Sequence, residues 1–259
     1  MAWRLAYSRA TPKRIENHIK RCFTALSKLD IKGYKQGSLI EWPGLIVDSI
    51  FVAGCDFRCP YCHNPDLITN DKVESYDVNE ILAEIDKRAK SKWLDGVSIT
   101  GGEPVLSKRL AEFLRILKDM GLKTKFDTNG NHPVAVKKII DDKLVDYIAM
   151  DVKAIPEKYH LAAGKKVDIK PIKETIEIIL SSNIEHEFRT TVVPTIVDPE
   201  KDLPIIAEMI KGAKRYYIQQ FRPIRCLDKE FEKMKPLSLT LLENAWKKIK
   251  DNFEVCEVR

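Results

Sequence analysis

The chain has 259 residues, of which 44% are hydrophobic and 32% are charged, values that are usual for a globular protein. This length suits one large α/β domain or two small ones. No apolar run approaches the roughly 18 residues that a bilayer-spanning helix needs, and the N-terminus lacks the apolar stretch of a secretory signal. We therefore expect a cytoplasmic protein without a membrane segment.

The formal net charge of +6 is concentrated near the N-terminus. Residues 1–37 contain nine Lys or Arg and two acidic residues, a net +7, which leaves −1 for residues 38–259. Apolar residues recur at helical spacing over 12–29, with Lys and Arg between them, and predict a basic amphipathic helix. We expect residues 1–32 to form a helical extension before a core domain at 33–259. The basic side chains are either a solvated helix face or a docking surface for an acidic partner or nucleic acid.

Turn-forming residues are frequent over 32–44, so we interpret this stretch as turns. Beyond it, apolar β-rich runs alternate with amphipathic patterns of helical period. The predicted strands lie at 46–53, 96–100, 122–127, 145–151, 187–193 and 216–221, with a final short strand at 253–258. The predicted helices lie at 77–90, 107–120, 133–142, 171–182, 201–211 and 239–250.

Six strand–helix units in series predict a parallel sheet with helices outside it. Six units are too few for a closed eight-stranded barrel. The pattern fits either a partial (β/α)6 barrel or an open, doubly wound sheet.

Three of the six cysteines, Cys55, Cys59 and Cys62, follow the first of these six strands with the spacing C-x3-C-x2-C. Three thiolates can hold three irons of a cubane cluster and leave the fourth iron without a protein ligand. An adjacent amine and carboxylate, such as the methionyl end of S-adenosylmethionine (SAM), can chelate that iron. A Cys3His zinc knuckle with His63 as the fourth ligand is the alternative, although simultaneous ligation by the adjacent Cys62 and His63 is awkward.

The pattern C-x3-C-x-aromatic-C after a first strand resembles the signature of the radical SAM superfamily. That resemblance implies an α/β fold with a partial (β/α)6 TIM-like barrel, here with an N-terminal helical extension. It also implies a [4Fe–4S] cluster on the three cysteines and SAM as the second cofactor. Tyr61 would lie beside the adenine, and His63 would belong to the same cofactor site.

Motifs at the ends of the next two strands strengthen the resemblance. Gly101-Gly102-Glu103-Pro follows the second strand, where paired glycines let a backbone approach a ligand closely. In the superfamily this motif binds the SAM amino group through backbone carbonyls. Asp127 and Asn129, at the end of the third strand, match polar positions that reach the SAM ribose.

Charged residues at the later strands are also expected to bind SAM. Asp151 follows a wholly apolar strand and needs a partner, since an unpaired buried charge is costly. Lys153 would either pair with Asp151 or meet the SAM carboxylate, and Arg189 lies inside a β-rich run where a bound carboxylate would satisfy it. Gln220 stands near the position where the formate-lyase activator has a histidine close to SAM, and is expected to replace it.

A wider set of motifs is similar to the glycyl-radical-enzyme activating enzymes, which include the activators of anaerobic ribonucleotide reductase and of pyruvate formate-lyase. The matching segments are Ser-Leu-Ile-Glu-Trp-Pro-Gly at 38–44, the cysteine segment, Asp-Thr-Asn-Gly, Asp-Val-Lys and Arg-Thr-Thr-Val-Val-Pro. The resemblance covers roughly 33–225, whereas residues 1–32 have no counterpart in it.

The resemblance implies reductive cleavage of SAM to a 5′-deoxyadenosyl radical, which abstracts hydrogen from a glycine of a partner glycyl-radical enzyme. The implied partners are such an enzyme, with anaerobic ribonucleotide reductase as one candidate, and flavodoxin or ferredoxin as the electron donor. No side chain need act as an acid or base, so we assign no separate catalytic residue. Two alternatives stay open: a radical SAM enzyme for a small molecule or RNA, the latter favoured by the basic extension, and a non-enzymatic zinc module.

Overall fold

The computed structural model describes residues 29–69 and 73–259. The predicted helix at 12–29 and most of the predicted extension at 1–32 therefore lie outside the described residues, and both stay predictions.

Within the described part of the chain, eight strands form one sheet whose spatial order equals their order in the chain. They are β1 (Ile31–Ser38), β2 (Val47–Val52), β3 (Gly96–Gly101), β4 (Lys123–Thr128), β5 (Tyr147–Asp151), β6 (Glu185–Val192), β7 (Arg215–Gln220) and β8 (Val255–Val258). β1 pairs antiparallel with β2, and every other neighbouring pair is parallel. Because the parallel strands never reverse their order, right-handed crossovers place the connecting helices on one face. The other face becomes the interior of a partial barrel with edges at β1 and β8, which confirms the predicted fold class.

The strands are connected by helices, and all but the short α8 bury apolar residues. They are α1 (Pro65–Thr69), α2 (Val78–Lys90), α3 (Leu110–Asp119), α4 (Pro133–Asp141), α5 (Tyr159–Ala163), α6 (Ile169–Ser181), α7 (Asp202–Met209), α8 (Lys229–Glu232) and α9 (Leu239–Ile249). In α2 the buried residues Val78, Ile81, Leu82 and Ile85 follow helical spacing, and the Asp77 side chain caps its first turn. Across the described parts of the chain, no helix has the length and apolar character to cross a bilayer.

The six predicted strands, the final short strand and the six predicted helices over 77–250 are confirmed to within three residues at each end. One helix begins earlier than predicted: α6 starts at Ile169, two residues before the predicted start at Pro171. The Asp168 side chain accepts from the Lys170 N–H and caps the helix there. Proline is tolerated within a first helical turn, because the N–H that it lacks has no intrahelical partner.

The interpretation of 32–44 as turns is wrong over its first half, because Ile31–Ser38 forms β1. β1 is the edge strand next to β2, and only its two end residues are buried. An edge strand exposed along its middle does not need alternating apolar residues. Gly33 also permits close pairing, since a Cβ there would lie 3.2 Å from the Phe51 side chain.

The segment after β1 closes the amino-terminal end of the barrel. Trp42 is buried against Val47 and Tyr147, the first residues of β2 and β5, and its ring centroid lies 5.3 Å from that of Tyr147. This apolar plug leaves the opposite end of the barrel, at the carboxyl ends of the strands, as the accessible one.

Candidate active site

A cavity of about 220 Å³ lies at the carboxyl ends of the parallel strands. It gathers residues from segments that are far apart in the chain. Its lining is Cys55, Phe57, Cys59, Tyr61, Cys62, His63, Asn64, Thr100, Gly101, Gly102, Glu103, Asp127, Thr128, Asn129, Asp151, Lys153, Arg189 and Thr191. Ligand sites of parallel α/β folds occur at this end of the sheet, so every predicted site residue except Gln220 is brought to one place.

The three cysteines lie in the loop between β2 and α1, here called the Cys loop (residues 53–64). Burial raises the pKa of the Cys55 thiol to about 12 and that of Cys59 to about 11. Burial also raises the pKa of the Cys62 thiol. Three thiols facing one cavity in this way are stable as thiolates only when a cation binds them. Their arrangement therefore suits metal ligation better than nucleophilic chemistry.

The donor set fits a [4Fe–4S] cluster. Across residues 29–69 and 73–259, no three His, Cys, Asp or Glu side chains converge so as to hold a single metal ion. A cubane cluster does not need such convergence, because each thiolate binds a different iron. The backbone N–H of Phe57 also points at the Cys55 sulfur, at 3.4 Å, and can stabilise negative charge there.

The Gly101-Gly102 turn brings the end of β3 against the Cys loop. Gly101 has φ +107°, a conformation that side-chain-bearing residues rarely adopt. A Cβ on Gly102 would lie 2.0 Å from the Gly54 carbonyl oxygen. The N–H of Glu103 donates to that same oxygen at 2.7 Å. The glycine pair is therefore required by a close backbone approach within the protein, in addition to any approach to SAM.

Glu103 connects the ends of β3 and β4. Its carboxylate is buried and accepts from the Thr128 hydroxyl at 2.9 Å and from the Asn129 N–H at 2.6 Å. Burial raises the pKa of Glu103 to about 7, although these hydrogen bonds oppose the shift. The carboxylate is thus turned toward the β4 end, and its role in this geometry is to position Asn129.

Asn129 in turn contacts the Cys loop. Its side-chain Nδ2 donates to Asp56 at 2.9 Å and lies 3.9 Å from the Cys55 sulfur. Asp56 also accepts from the Asn131 amide at 2.6 Å and from His132 Nε2 at 3.1 Å. Burial opposes ionisation of Asp56, but these donors hold the pKa of Asp56 well below its usual range.

A row of charged side chains crosses the floor of the cavity. Arg189 Nε donates to Asp151 at 2.9 Å, and its Nη2 lies 3.3 Å from an Asp127 oxygen. The Lys125 ammonium, which has no exposed side-chain surface, lies 2.5 Å from the other Asp127 oxygen. Burial alone would raise the pKa of Asp127, but the charges of Arg189 and Lys125 outweigh it and lower the pKa to about 2.

Lys153 and Tyr61 complete the cavity between this floor and the Cys loop. The Lys153 ammonium lies 3.3 Å from Asp151, and the negative charge of Asp151 keeps the pKa of Lys153 well above its ordinary value despite burial. Tyr61 is buried in the Cys loop, where burial raises the pKa of its phenol, so the ring stays neutral. A cation and an aromatic ring thus face the same space as the three thiols.

Two of the predicted residues have different surroundings from the others. Gln220 lies outside the cavity, and its amide Nε2 donates to the Leu237 carbonyl at 2.9 Å, so the geometry gives no support to its predicted contact with SAM. His63 is exposed at the cavity edge, and its Nε2 lies 2.9 Å from the Arg222 carbonyl. A carbonyl only accepts, so this nitrogen carries the hydrogen and the ring ties the Cys loop to the segment after β7.

Several lining residues were absent from the sequence prediction: Phe57, Asn64, Thr100, Thr128 and Thr191. Thr100 donates to Asp127 at 2.9 Å, across neighbouring strands. Thr191 lies two residues after Arg189 in β6, and residues two apart in a strand point to the same face. That alternation was the signal that could have identified Thr191, and it applies equally to Lys125 before Asp127.

Comparisons with known proteins agree with this geometry. Residues 49–209 match the family model described as Radical SAM superfamily. A protein of Methanocaldococcus jannaschii that is named as a glycyl-radical enzyme activating enzyme is 37% identical over 209 residues, which cover 79% of this chain and 85% of the relative. The pyruvate formate-lyase-activating enzyme of Clostridium pasteurianum is 26% identical over 201 residues, covering 76% of this chain and 82% of that enzyme.

A solved structure shows the same fold at low sequence identity. SuiB of Streptococcus suis bound to S-adenosylmethionine superposes with a TM-score of 0.59 at 16% identity, over 79% of this chain. The match covers 48% of SuiB, so the chain spans about half the length of that protein. This likeness supports the fold, and the family assignment depends on the sequence matches.

Proposed function

This chain belongs to the radical SAM superfamily and, within it, to the glycyl-radical enzyme activating enzymes, and from that membership we propose that it generates the radical of a partner glycyl-radical enzyme. Its cofactors are a [4Fe–4S] cluster and SAM. When bound, they supply a 5′-deoxyadenosyl radical by reductive cleavage of SAM, the hard chemistry that a protein scaffold leaves to its cofactors. The observation that supports the proposal most is the single cavity shared by three cysteine thiols and the glycine turn.

The chain's own residues bind and orient these groups. Cys55, Cys59 and Cys62 hold the cluster, and the Gly101-Gly102 backbone borders the space next to it. Lys153 and Arg189 both line this space, and we assign Lys153 to the SAM carboxylate.

The remaining predicted residues shape the cavity around SAM. Asp127, Asp151 and Arg189 form its charged floor, and Asn129 is fixed by Glu103 at its rim. Tyr61 offers an aromatic face for the adenine. Abstraction of a hydrogen atom by a carbon radical needs no acid or base, so we assign these residues to positioning.

The partners follow from the chemistry. The substrate is a glycine Cα in a partner protein, with anaerobic ribonucleotide reductase as a candidate. The cluster needs an external one-electron donor, and flavodoxin or ferredoxin is suited to that role. We place the protein in the cytoplasm, because three clustered thiols must stay reduced to hold iron.

The test is anaerobic reconstitution with candidate partner enzymes, followed by electron paramagnetic resonance. A carbon-centred doublet on the partner glycine, dependent on SAM and a chemical reductant, is the expected result. Cys59→Ala should lose the cluster's visible absorption and all SAM cleavage, because one of three iron ligands is removed. Cys256→Ala, a cysteine in β8 outside the cavity, is the matched control and should keep both. Full SAM cleavage by Cys59→Ala would contradict the assignment.

A further inference from the structure

Three exposed cations border the outer side of the Cys loop. They are Arg58, Lys165 and Lys166, here called the cation patch. Arg58 Nη1 donates to the carbonyls of Cys55 at 2.7 Å and Phe57 at 2.8 Å. The Lys165 ammonium donates to the Asp56 carbonyl at 2.8 Å. Arg58 and Lys165 are therefore held against the backbone of the segment that carries the three thiols, and Lys166 follows Lys165 in the chain.

Close packing gives the patch a defined shape. The Arg58 N–H donates to the Ala163 carbonyl at 2.8 Å, which joins the Cys loop to the end of α5. Gly164 follows with φ +66°, and a Cβ on it would lie 1.8 Å from the Arg58 carbonyl oxygen. Only glycine permits this approach, so Lys165 and Lys166 are placed next to Arg58 by the backbone itself.

The acidic groups nearby do not neutralise the patch. The Asp56 carboxylate is engaged by Asn129, Asn131 and His132, and His132 carries a pKa raised by that same carboxylate. The Asp168 carboxylate accepts from the Lys170 N–H as the cap of α6 and keeps its charge. Three cations against the Asp56 and Asp168 carboxylates leave this surface with net positive charge.

The patch is separate from the opening through which SAM and substrate enter. None of its three residues lines the cavity, whereas Cys55, Phe57 and Cys59, which flank Arg58 and Asp56, all do. A macromolecule bound to the patch would thus lie beside Asp56 and Arg58, which are the chain neighbours of the cluster ligands Cys55 and Cys59. It would leave the cavity open. That position suits delivery of an electron to the cluster and does not suit delivery of a glycine to the radical.

We propose that the cation patch is the docking surface for a small acidic electron-carrier protein. This inference rests on the proposed function, which requires an external reductant. In the docked complex the carrier is oxidised by one electron and the cluster is reduced from [4Fe–4S]2+ to [4Fe–4S]+. Charge complementarity mainly raises the association rate, so the rate of reduction should depend on ionic strength.

The experiment uses the anaerobically reconstituted holoenzyme and a fully reduced flavodoxin as the probe. Stopped-flow bleaching of the cluster absorption gives the reduction rate. Lys166→Glu should slow it by about tenfold at low ionic strength, with the difference shrinking as salt screens the charges. Lys247→Glu makes the same charge change on the exposed last turn of α9 and should keep the wild-type rate. Lys165→Gln provides a second test and should also slow the reaction.

A small chemical reductant, photoreduced deazaflavin, distinguishes docking from damage to the cluster. All of these variants should be reduced by it at the wild-type rate and should then activate a partner glycyl-radical enzyme normally. Wild-type flavodoxin rates in both Lys166→Glu and Lys165→Gln would overturn the docking proposal, as would an equal slowing with deazaflavin. Neither result would contradict the proposed function. That function is contradicted only if no glycyl radical forms with deazaflavin as the reductant.

Discussion

At the scale of single residues, Glu103 is the side chain on which the order of the cavity rim depends. Both of its oxygens are acceptors for groups at the end of β4, one from Thr128 and one from Asn129. In Glu103→Gln one acceptor becomes an NH₂ group, which leaves a buried donor unpaired at a cost of about 2 kcal/mol. Because Asn129 contacts the Cys loop through Asp56, the rim of the free variant relaxes to relieve this cost. Restoring its geometry when SAM binds should lower SAM affinity by up to roughly 30-fold.

Equilibrium binding of SAM to the reconstituted enzyme measures this effect, and iron content should stay at the wild-type level. Glu177→Gln, an exposed residue of α6, is the control and should leave SAM affinity unchanged. Wild-type SAM affinity in Glu103→Gln would show that the rim does not depend on this carboxylate.

The sequence predicted most of the site, because metal ligands and paired glycines have distinctive spacing. It did not predict Thr191 or Lys125, which lie on strands of the barrel. Both faces of such strands are buried, one by helices and one by the barrel interior. Alternation places Thr191 with Arg189 and Lys125 with Asp127, but which of the two buried faces lines the cavity depends on how the sheet closes, and that closure is fixed by pairings between distant segments.

The contact of Gln220 with SAM stays a prediction. It came from the histidine that the formate-lyase activator has near this strand end, and in the structure the Gln220 amide donates to the Leu237 carbonyl instead of facing the cavity. A residue's place along a strand predicts its depth in the barrel, while the direction of its side chain depends on what packs beside it.

At the scale of elements, Asp48 joins β1, β2 and α2. Its fully buried carboxylate accepts from the Tyr34 hydroxyl at 2.7 Å, the Gly37 N–H at 2.8 Å and Arg88 Nε at 3.0 Å. This long-range set explains why β1 could not be predicted from 32–44 alone. The edge strand is held by a carboxylate in its neighbour and a guanidinium in a distant helix, and its own sequence carries little strand signal.

Asp48→Asn should lower the free energy of unfolding by about 2 kcal/mol, because Arg88 loses its charge partner and one donor is left without an acceptor. Chemical denaturation of the apoprotein, followed by far-ultraviolet circular dichroism, measures the change. Asp86→Asn removes an exposed pair with Lys90 in the same helix and should cost less than about 0.5 kcal/mol. Equal effects of the two substitutions would contradict the special role of Asp48.

At the scale of the whole molecule, the alternation of strands and helices was sufficient to predict the architecture. Strand order follows chain order because each unit packs beside the one before it, a local rule that holds from β2 to β8. The choice between a partial barrel and a doubly wound sheet was not decided by that rule. It depends on whether the crossovers reverse direction, and here they do not, so the carboxyl ends of β2 to β6 surround one cavity.

Stability of the whole sheet should depend on pH through His186 in the central strand β6. The ring is 5% exposed, its Nδ1 donates to the Ile184 carbonyl, and its Nε2 has no hydrogen-bond partner in the structure. Burial lowers the pKa of His186. Below pH of about 6.5 the unfolded chain therefore binds a proton that the folded chain does not, and stability falls as pH falls, by up to about 1.4 kcal/mol per pH unit.

His186→Leu removes this proton linkage, so its stability relative to the wild type should rise between pH 7.5 and pH 5.5. Thermal unfolding midpoints of the two proteins, measured anaerobically at both pH values, give the comparison, and effects of acid on the cluster cancel in the difference. His160→Leu changes an exposed histidine and should follow the wild type at both pH values. If the two unfolding midpoints differ by the same amount at both pH values, the buried ring accepts a proton as readily in the folded sheet as in the unfolded chain. That result would contradict the prediction, because a proton on Nε2 has no acceptor in the fold.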